Sequence, residues 1–341
     1  MEPQALGAQN LLTRALGLRA NDGLHLFVWN ADEVARQIEE QATALGVRCT
    51  RTNLHALPNP KGSARSLTAM LRDGIGDAVA TMMLASHGVP SAVSVAVIDA
   101  AGQRNCRHAH VVRVDPRMLA QSLRADPAVL RAINERILAV LGPPITLHVE
   151  GAGGTELEVL LTDAYRMTPG DGQPTAERWQ TFPAGYVSTH PTRVRGTFVA
   201  DRNLLAAEAH GLAPKVRKNP VRFVIEDSRV TRFSCDDAEL SGIVQRYLAS
   251  HPNAARVGLV LLPTNYLVRT EVGLESQDEL VPGLNLALGF TSQAETGASY
   301  EAPVQLRLLA RRLEVRARGM AIVEGGRLAD RFVAGLDPFR G

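Results

Sequence analysis

The spacing of apolar residues changes at Gly142-Pro143-Pro144, and that change limits the folds open to the chain. Before it, short apolar runs alternate with stretches whose apolar residues recur every three or four positions. After it, most segments alternate with period two. A strand turns successive side chains to opposite faces, whereas a helix brings them back about every 3.6 residues. The first pattern predicts strands separated by helices, and so a mainly parallel sheet covered on both faces. The second predicts a β-rich unit with few helices. The expected fold class is therefore α/β plus α+β, with an α/β domain over residues 1–144 and a β-rich domain over 145–341.

In the first part, PQALGAQNLLTRALGL reads as a helix broken by Asn21-Asp22-Gly23, and LHLFVWN as a strand. ADEVARQIEEQATALGV is a helix with Asp32 and Glu33 near its positive end, and RCTRTNL is a strand. SARSLTAMLRDGIGDAVATMMLAS reads as one long helix and SAVSVAVIDA as a strand. DPRMLAQSLRADPAVLRAINERILAVLG gives two helices, each opened by an Asp-Pro pair suited to the cap and first turn. In the second part, RGTFVAD, VRFVIEDSRVTRFSC, VGLVLLP, LNLALGF, VQLRLLARRLEVRA and GMAIVEGGRLADRF read as strands. One helix, Asp236 to Ser250, interrupts them, with Leu240, Ile243, Val244 and Tyr247 on its core face. A loop rich in Gly, Pro and Thr runs from about Met167 to Arg178.

Composition removes several functions. Aromatic residues are only 4%, too few for stacking platforms on single-stranded nucleic acid, and the net charge of +2 gives no phosphate-binding surface. No apolar run approaches the ~20 residues of a spanning helix, so no membrane partner is expected. The N-terminus lacks the basic and apolar regions of a signal peptide. Cys49, Cys106 and Cys235 cannot all pair and show no CxxC spacing, which suits reduced thiols in a cytoplasm.

The chemistry-bearing motifs are sparse. RNCRHAH places Cys106, His108 and His110 together, with both imidazoles on one face of an extended segment. The plainer reading is a polar hairpin flank, since a closed zinc site needs about four ligands. HVEGAGGTELEV carries Gly151, Gly153 and Gly154 between two strands, where a hairpin turn is expected rather than a phosphate cradle. Ser188 and His190 stand two apart on a predicted strand, with no third member of a triad in view and exposure as the default.

Four segments in order carry a resemblance. FPAGYVSTHPTRVRGTFVAD is similar to the Pro-Gly-Gly-Glu-Val-Phe-Thr-x-Pro segment of M29 metal-dependent aminopeptidases. RVGLVLLPTN resembles their Ile-Gly-Glu-Leu-Gly-Ile-Gly-Thr-Asn, and DELVPGLNLALGF their Asp-Glu-Lys with Gly-Thr-x-His-x-Ala-Leu-Gly. ETGASYEAPVQLRLLARRLEV resembles the segment bearing their His-x-Asp. The match runs from roughly Phe182 to Leu328 and extends loosely into the first domain, where GDAVATMMLAS resembles the related 2,5-dihydroxypyridine dioxygenases. The resemblance implies an M29-like fold but not its metal. Tyr186 stands at the first glutamate ligand and Leu259 at the second, Asn285 at the histidine, and Pro303 and Gln305 at the His-x-Asp pair. Of the matched acids, Asp278 and Glu279 remain. Leucine and proline donate nothing to a metal, and an amide is a weak donor.

What the resemblance implies is a metal-free peptide-binding protein without a cofactor, like the peptide-binding proteins of crocagin-type ribosomal peptide biosynthesis. Its partner would be a precursor peptide, held for a modifying enzyme of the same pathway, and the related peptidases imply a possible homodimer. The expected peptide contacts are Tyr186, Arg269, Asp278, Glu279, Asn285 and Gln305. A second expectation is a metal-independent peptide-modifying enzyme of cyclase type, with Glu279, His190 or Tyr186 as catalytic candidates. A third is a metalloenzyme with ligands relocated to His108, His110, His190 and Asp278.

Overall fold

The computed structural model describes residues 2–57, 63–206 and 210–336. The chain forms two compact units, Met1–Leu130 with Gly170–Ala184, and Arg131–Pro169 with Gly185–Gly341. The changeover at 130–131 comes before the Gly142-Pro143-Pro144 turn, and the 170–184 segment belongs with the first unit.

The first unit is an α/β layer structure. Helix α1 (Pro3–Asn10) leads to β1 (Gly23–Trp29), α2 (Asp32–Ala44), β2 (Arg48–Asn53), α3 (Ala64–Gly74), β3 (Ala80–Ala85), α4 (Ser91–Gln103) and β4 (Arg107–Val112). The four strands pair in parallel in the order β2-β1-β3-β4, and the short strand Gln180–Phe182 joins beside β4. Strands β1 and β3 are buried along their whole length, as a sheet covered on both faces requires. Phe27 and Met83 pack on one face against Leu67, Leu71, Val93 and Val97 of α3 and α4.

Two expected elements differ. The long helix drawn over 63–86 ends at Gly74, and its second half is β3. A strand buried on both sides loses alternation, and the Met82-Met83-Leu84 run then looks helical. Conversely, SAVSVAVIDA is α4, not a strand. Its alternating valines suggested period two, but its buried stripe is Val93, Ala96, Val97, Ala100 and Ala101, the spacing of one helical face. The Asp-Pro starts behave as expected: Asp115 accepts from the Arg117 amide at 2.9 Å and opens α5 (Pro116–Leu119), and α6 spans Pro127–Val140.

The second unit carries two sheets. Its strands are β5 (Ile145–Gly151), β6 (Thr155–Leu161) and β7 (Thr168–Gly170), after which Gln180–Phe182 counts as β8. They continue with β9 (Tyr186–Thr189), β10 (Arg193–Ala200), β11 (Asn203–Ala206), β12 (Val221–Glu226), β13 (Arg229–Ser234) and β14 (Val257–Pro263). The last are β15 (Asn285–Gly289), β16 (Gln305–Leu309), β17 (Leu313–Ala317), β18 (Met320–Glu324) and β19 (Arg327–Leu328). The eight-stranded sheet has the order β13-β12-β10-β6-β5-β17-β18-β19, and the six-stranded sheet β11-β16-β15-β14-β9-β7. The Gly151–Gly154 stretch is the β5–β6 hairpin turn, closed by the Gly154 amide on the Gly151 carbonyl at 2.9 Å. After α7 (Ala213–Lys218), α8 (Ala238–Ala249) is the interrupting helix, capped by Asp237 on the Leu240 amide and burying Leu240 and Val244. Among the described residues no helix is long and apolar enough to cross a membrane.

Candidate functional site

Residues paired directly across strands point to one side of a sheet. In the six-stranded sheet, Tyr186 pairs with Pro263 and Ser188 with Leu261; Leu261 in turn pairs with Asn285 and Leu259 with Ala287. Ala287 pairs with Arg307 and Gly289 with Gln305. Tyr186, Leu259, Asn285 and Gln305 therefore share one face across four neighbouring strands, and Arg307 lies among them. The opposite face is buried and apolar, with Val260, Leu286, Leu288, Leu306 and Leu308. The alternation of LNLALGF and VQLRLLA thus sets one hydrophobic face against one polar face.

The polar face is organised around an ion pair. Arg307 donates through one terminal nitrogen, Nη1, to both carboxylate oxygens of Glu279, and through Nε to Gln305 Oε1 at 3.1 Å. Its other terminal nitrogen, Nη2, makes no hydrogen bond among the described residues, and the side chain is half-buried. Burial opposes the charge on Arg307, but Glu279's charge and hydrogen bond, with the neighbouring Tyr186 adding to them, hold its pKa above the ordinary arginine value. Asn285 Nδ2 donates to the Glu279 carbonyl at 2.8 Å. A carbonyl only accepts, so this bond fixes the amide orientation and leaves Asn285 Oδ1, which is buried, without a partner among the described residues. Tyr186 is half-buried against Val268, Leu280 and Val281.

The two neighbouring acids part company. Glu279 faces Arg307, whereas Asp278 turns to its own loop and accepts from the Val272 and Gly273 amides, each at 2.8 Å. Burial pushes the Asp278 pKa up despite those amides. Behind this loop lies Arg202, 2% exposed, donating to the Val281 carbonyl at 3.1 Å and facing Glu271 at 3.4 Å. Neither acid is solvated: both are buried and bonded. Arg269 is exposed beside a cavity of about 20 Å³ with Asn265, Tyr266 and Pro282.

Ser188 and His190 are likewise buried rather than exposed. Ser188 Oγ donates to the Thr168 carbonyl at 3.4 Å, and His190 Nδ1 donates to the Gly258 carbonyl at 2.6 Å, so the two are not joined as a nucleophile and base. The bond to Gly258 places the proton on Nδ1 and leaves Nε2 as a lone-pair acceptor. Burial lowers the His190 pKa, the Gly258 bond works against that, and Arg256 lowers it further. Tyr165 and Tyr300 meet the imidazole edge-on at 4.5 and 5.6 Å, and Arg256 sits 4.4 Å over the Tyr300 ring.

In the first unit, RNCRHAH is not a hairpin flank but β4, an inner strand of the parallel sheet. His108 and His110 do share a face: His108 Nδ1 meets Thr81 Oγ1 at 2.8 Å, and His108 Nε2 meets His110 Nδ1 at 3.2 Å. Burial drives both pKa values down, His110 to about 4. Among the described residues no group of three or more His, Cys, Asp or Glu is placed to hold a metal ion. On the polar face the side chains do not fit one either. Leu259 and exposed Pro303 offer no donor, and Asp278 is taken by backbone amides. Glu279 is taken by a guanidinium that would repel a second cation.

Sequence reasoning missed Arg307. The signal was a lone cation in the middle of VQLRLLA, on the same parity as Gln305.

No protein-family description and no curated protein sequence matches the chain. Solved structures do. AmpT from Thermus thermophilus, an M29 aminopeptidase, is 16% identical with a TM-score of 0.66, covering 96% of this chain and 99% of its own. The 2,5-dihydroxypyridine dioxygenase from Pseudomonas putida KT2440 is 14% identical with a TM-score of 0.65, covering 95% and 96%. At these identities the likeness is one of fold: a parallel-sheet α/β part with antiparallel sheets, as in the M29-like proteins.

Proposed function

We propose that the second unit is a metal-free peptide-binding module whose polar sheet face holds a precursor peptide and presents it for modification, in ribosomal peptide natural-product biosynthesis. The observation that carries this reading is the Arg307–Glu279 pair, with Arg307 on the same sheet face as Tyr186, Leu259, Asn285 and Gln305, the positions that the resemblance matches to metal ligands. The pair is neutral as a whole, so the face favours a dipolar ligand over a free ion. Arg307 Nη2 offers donors on the half-buried polar face that also carries Tyr186 and Gln305, while buried Asn285 Oδ1 is an unfilled acceptor. An extended backbone carries N–H and C=O groups that suit this side-chain donor and acceptor, and neighbouring side chains then select sequence. Partners that go with this reading are a modifying enzyme of the same pathway and a second copy of the chain.

Calorimetry with candidate leader-core peptides in EDTA tests it. Saturable binding is expected, and Arg307→Ala should weaken it by about tenfold, the worth of one charge-assisted hydrogen bond. Failure of several such peptides to bind would remove the reading.

His190 favours a second reading, in which the bound peptide is also transformed. Of the three catalytic candidates, Glu279 is locked to Arg307, whereas His190 is a neutral imidazole with its proton fixed on Nδ1 and its base free. If turnover is found, His190→Gln should abolish it with peptide affinity retained. Loss on Glu279→Gln alone would assign the base to Glu279 instead.

A further inference from the structure

A groove of about 270 Å³ opens in the first unit between the last turns of α4 and the turn preceding strand β8. One wall holds Asp99 and Gln103, the other Glu177 and Trp179, and the floor is Cys106 and His108. The second wall is a tight turn: the Thr175 amide donates to the Arg178 carbonyl at 2.9 Å, and Thr175 Oγ1 accepts from the Arg178 amide at 3.1 Å. Glu177 on that turn and Asp99 on α4 are both exposed, and both line the groove. Among the described residues neither carboxylate has an ion-pair or hydrogen-bond partner.

The rest of the lining does not compensate them. Trp179 is 41% exposed, with its indole set edge-on by His110 at 5.6 Å. Cys106 donates its thiol to the Ala78 carbonyl at 3.1 Å, and burial keeps that thiol protonated. His108 has both ring nitrogens occupied by Thr81 and His110. Arg104, the cation that follows Gln103, is drawn away to the Gly76 carbonyl. What faces the groove is therefore two unpaired negative charges, an accessible indole and a neutral floor.

We propose that this groove binds a small organic cation, a guanidinium or primary ammonium on a short alkyl stem. The carboxylates supply charge from opposite walls, and the indole offers a cation–π face to the same group. The volume is below the ~300–1,000 Å³ of pockets for drug-sized ligands, so the ligand is the size of a basic side chain. The site is independent of the peptide reading for the second unit, and neither depends on the other.

Agmatine is the probe. The chain has two tryptophans, and Trp29 is buried against His55, so acrylamide-quenchable fluorescence reports Trp179. Agmatine should protect that fluorescence saturably, and uncharged butylurea should not. Asp99→Asn and Glu177→Gln should each weaken agmatine about three- to fivefold, and the double variant should lose saturation. Trp179→Leu, read by calorimetry, should bind more weakly while unfolding at the wild-type temperature. No saturable heat with agmatine, equal affinity in the double variant, or an equal response to butylurea would each overturn the assignment.

Discussion

Glu279 and Arg307 hold the polar face at its centre, and removing either charge strands the other. Glu279→Gln leaves a half-buried guanidinium without its counter-ion and should lower unfolding stability by about 1–2 kcal/mol in urea titrations. Asp278→Asn should act differently, loosening the 272–273 turn with little effect on Arg307. Nothing in the sequence separates these adjacent acids, because which one meets Arg307 is decided by the short helical turn that carries them. The buried histidines set a second residue-scale test. His25 and His110 are held near a pKa of about 4 by burial, and His108 is also pushed well down. In an unfolded chain each titrates near ~6.5, so on acidification protons bind the unfolded state first. Stability is therefore full above about pH 6.5 and falls as the pH drops toward about 4. Thermal unfolding from pH 7.5 to 4.5 should show this fall, and His110→Phe should make it shallower.

At the scale of elements, the approach of β9 to the 264–268 loop depends on Gly185. Its φ is +109°, and a Cβ there would stand 2.7 Å from Asn265 backbone atoms. The Thr264 amide also donates to the Gly185 carbonyl at 2.8 Å. Gly185→Ala should therefore lower stability by about 2 kcal/mol or more and displace Tyr186, reducing peptide affinity more than Gly211→Ala, which meets nothing within 4 Å. A circular-dichroism melt beside calorimetry checks both effects. Elements with one exposed face were legible from period two: β6 and β12 alternate buried and exposed along their length. Two elements buried in the first unit were not, although β1, equally buried, was read as a strand. β3 showed no alternation to read, and α4 showed a misleading one, because a buried helix can be apolar around most of its circumference.

For the whole molecule, the change of rhythm near residue 144 carried the fold class, and the four ordered segments carried the M29-like likeness that the solved structures share. The candidate site was legible only in part. Tyr186, Asn285 and Gln305 lie on one face because their strands are neighbours, a fact of sheet order that no local pattern encodes. Arg269 was drawn in by its charge and lies in the loop that follows β14. The most direct test is a crystal structure of the chain with a bound leader-core peptide, grown in the presence of EDTA. The account predicts an extended backbone along the polar face, with a peptide carbonyl on Arg307 Nη2 and the Arg307–Glu279 pair intact. A transition metal gripped between Tyr186, Leu259 and Gln305, or a peptide seated away from that face, would contradict it.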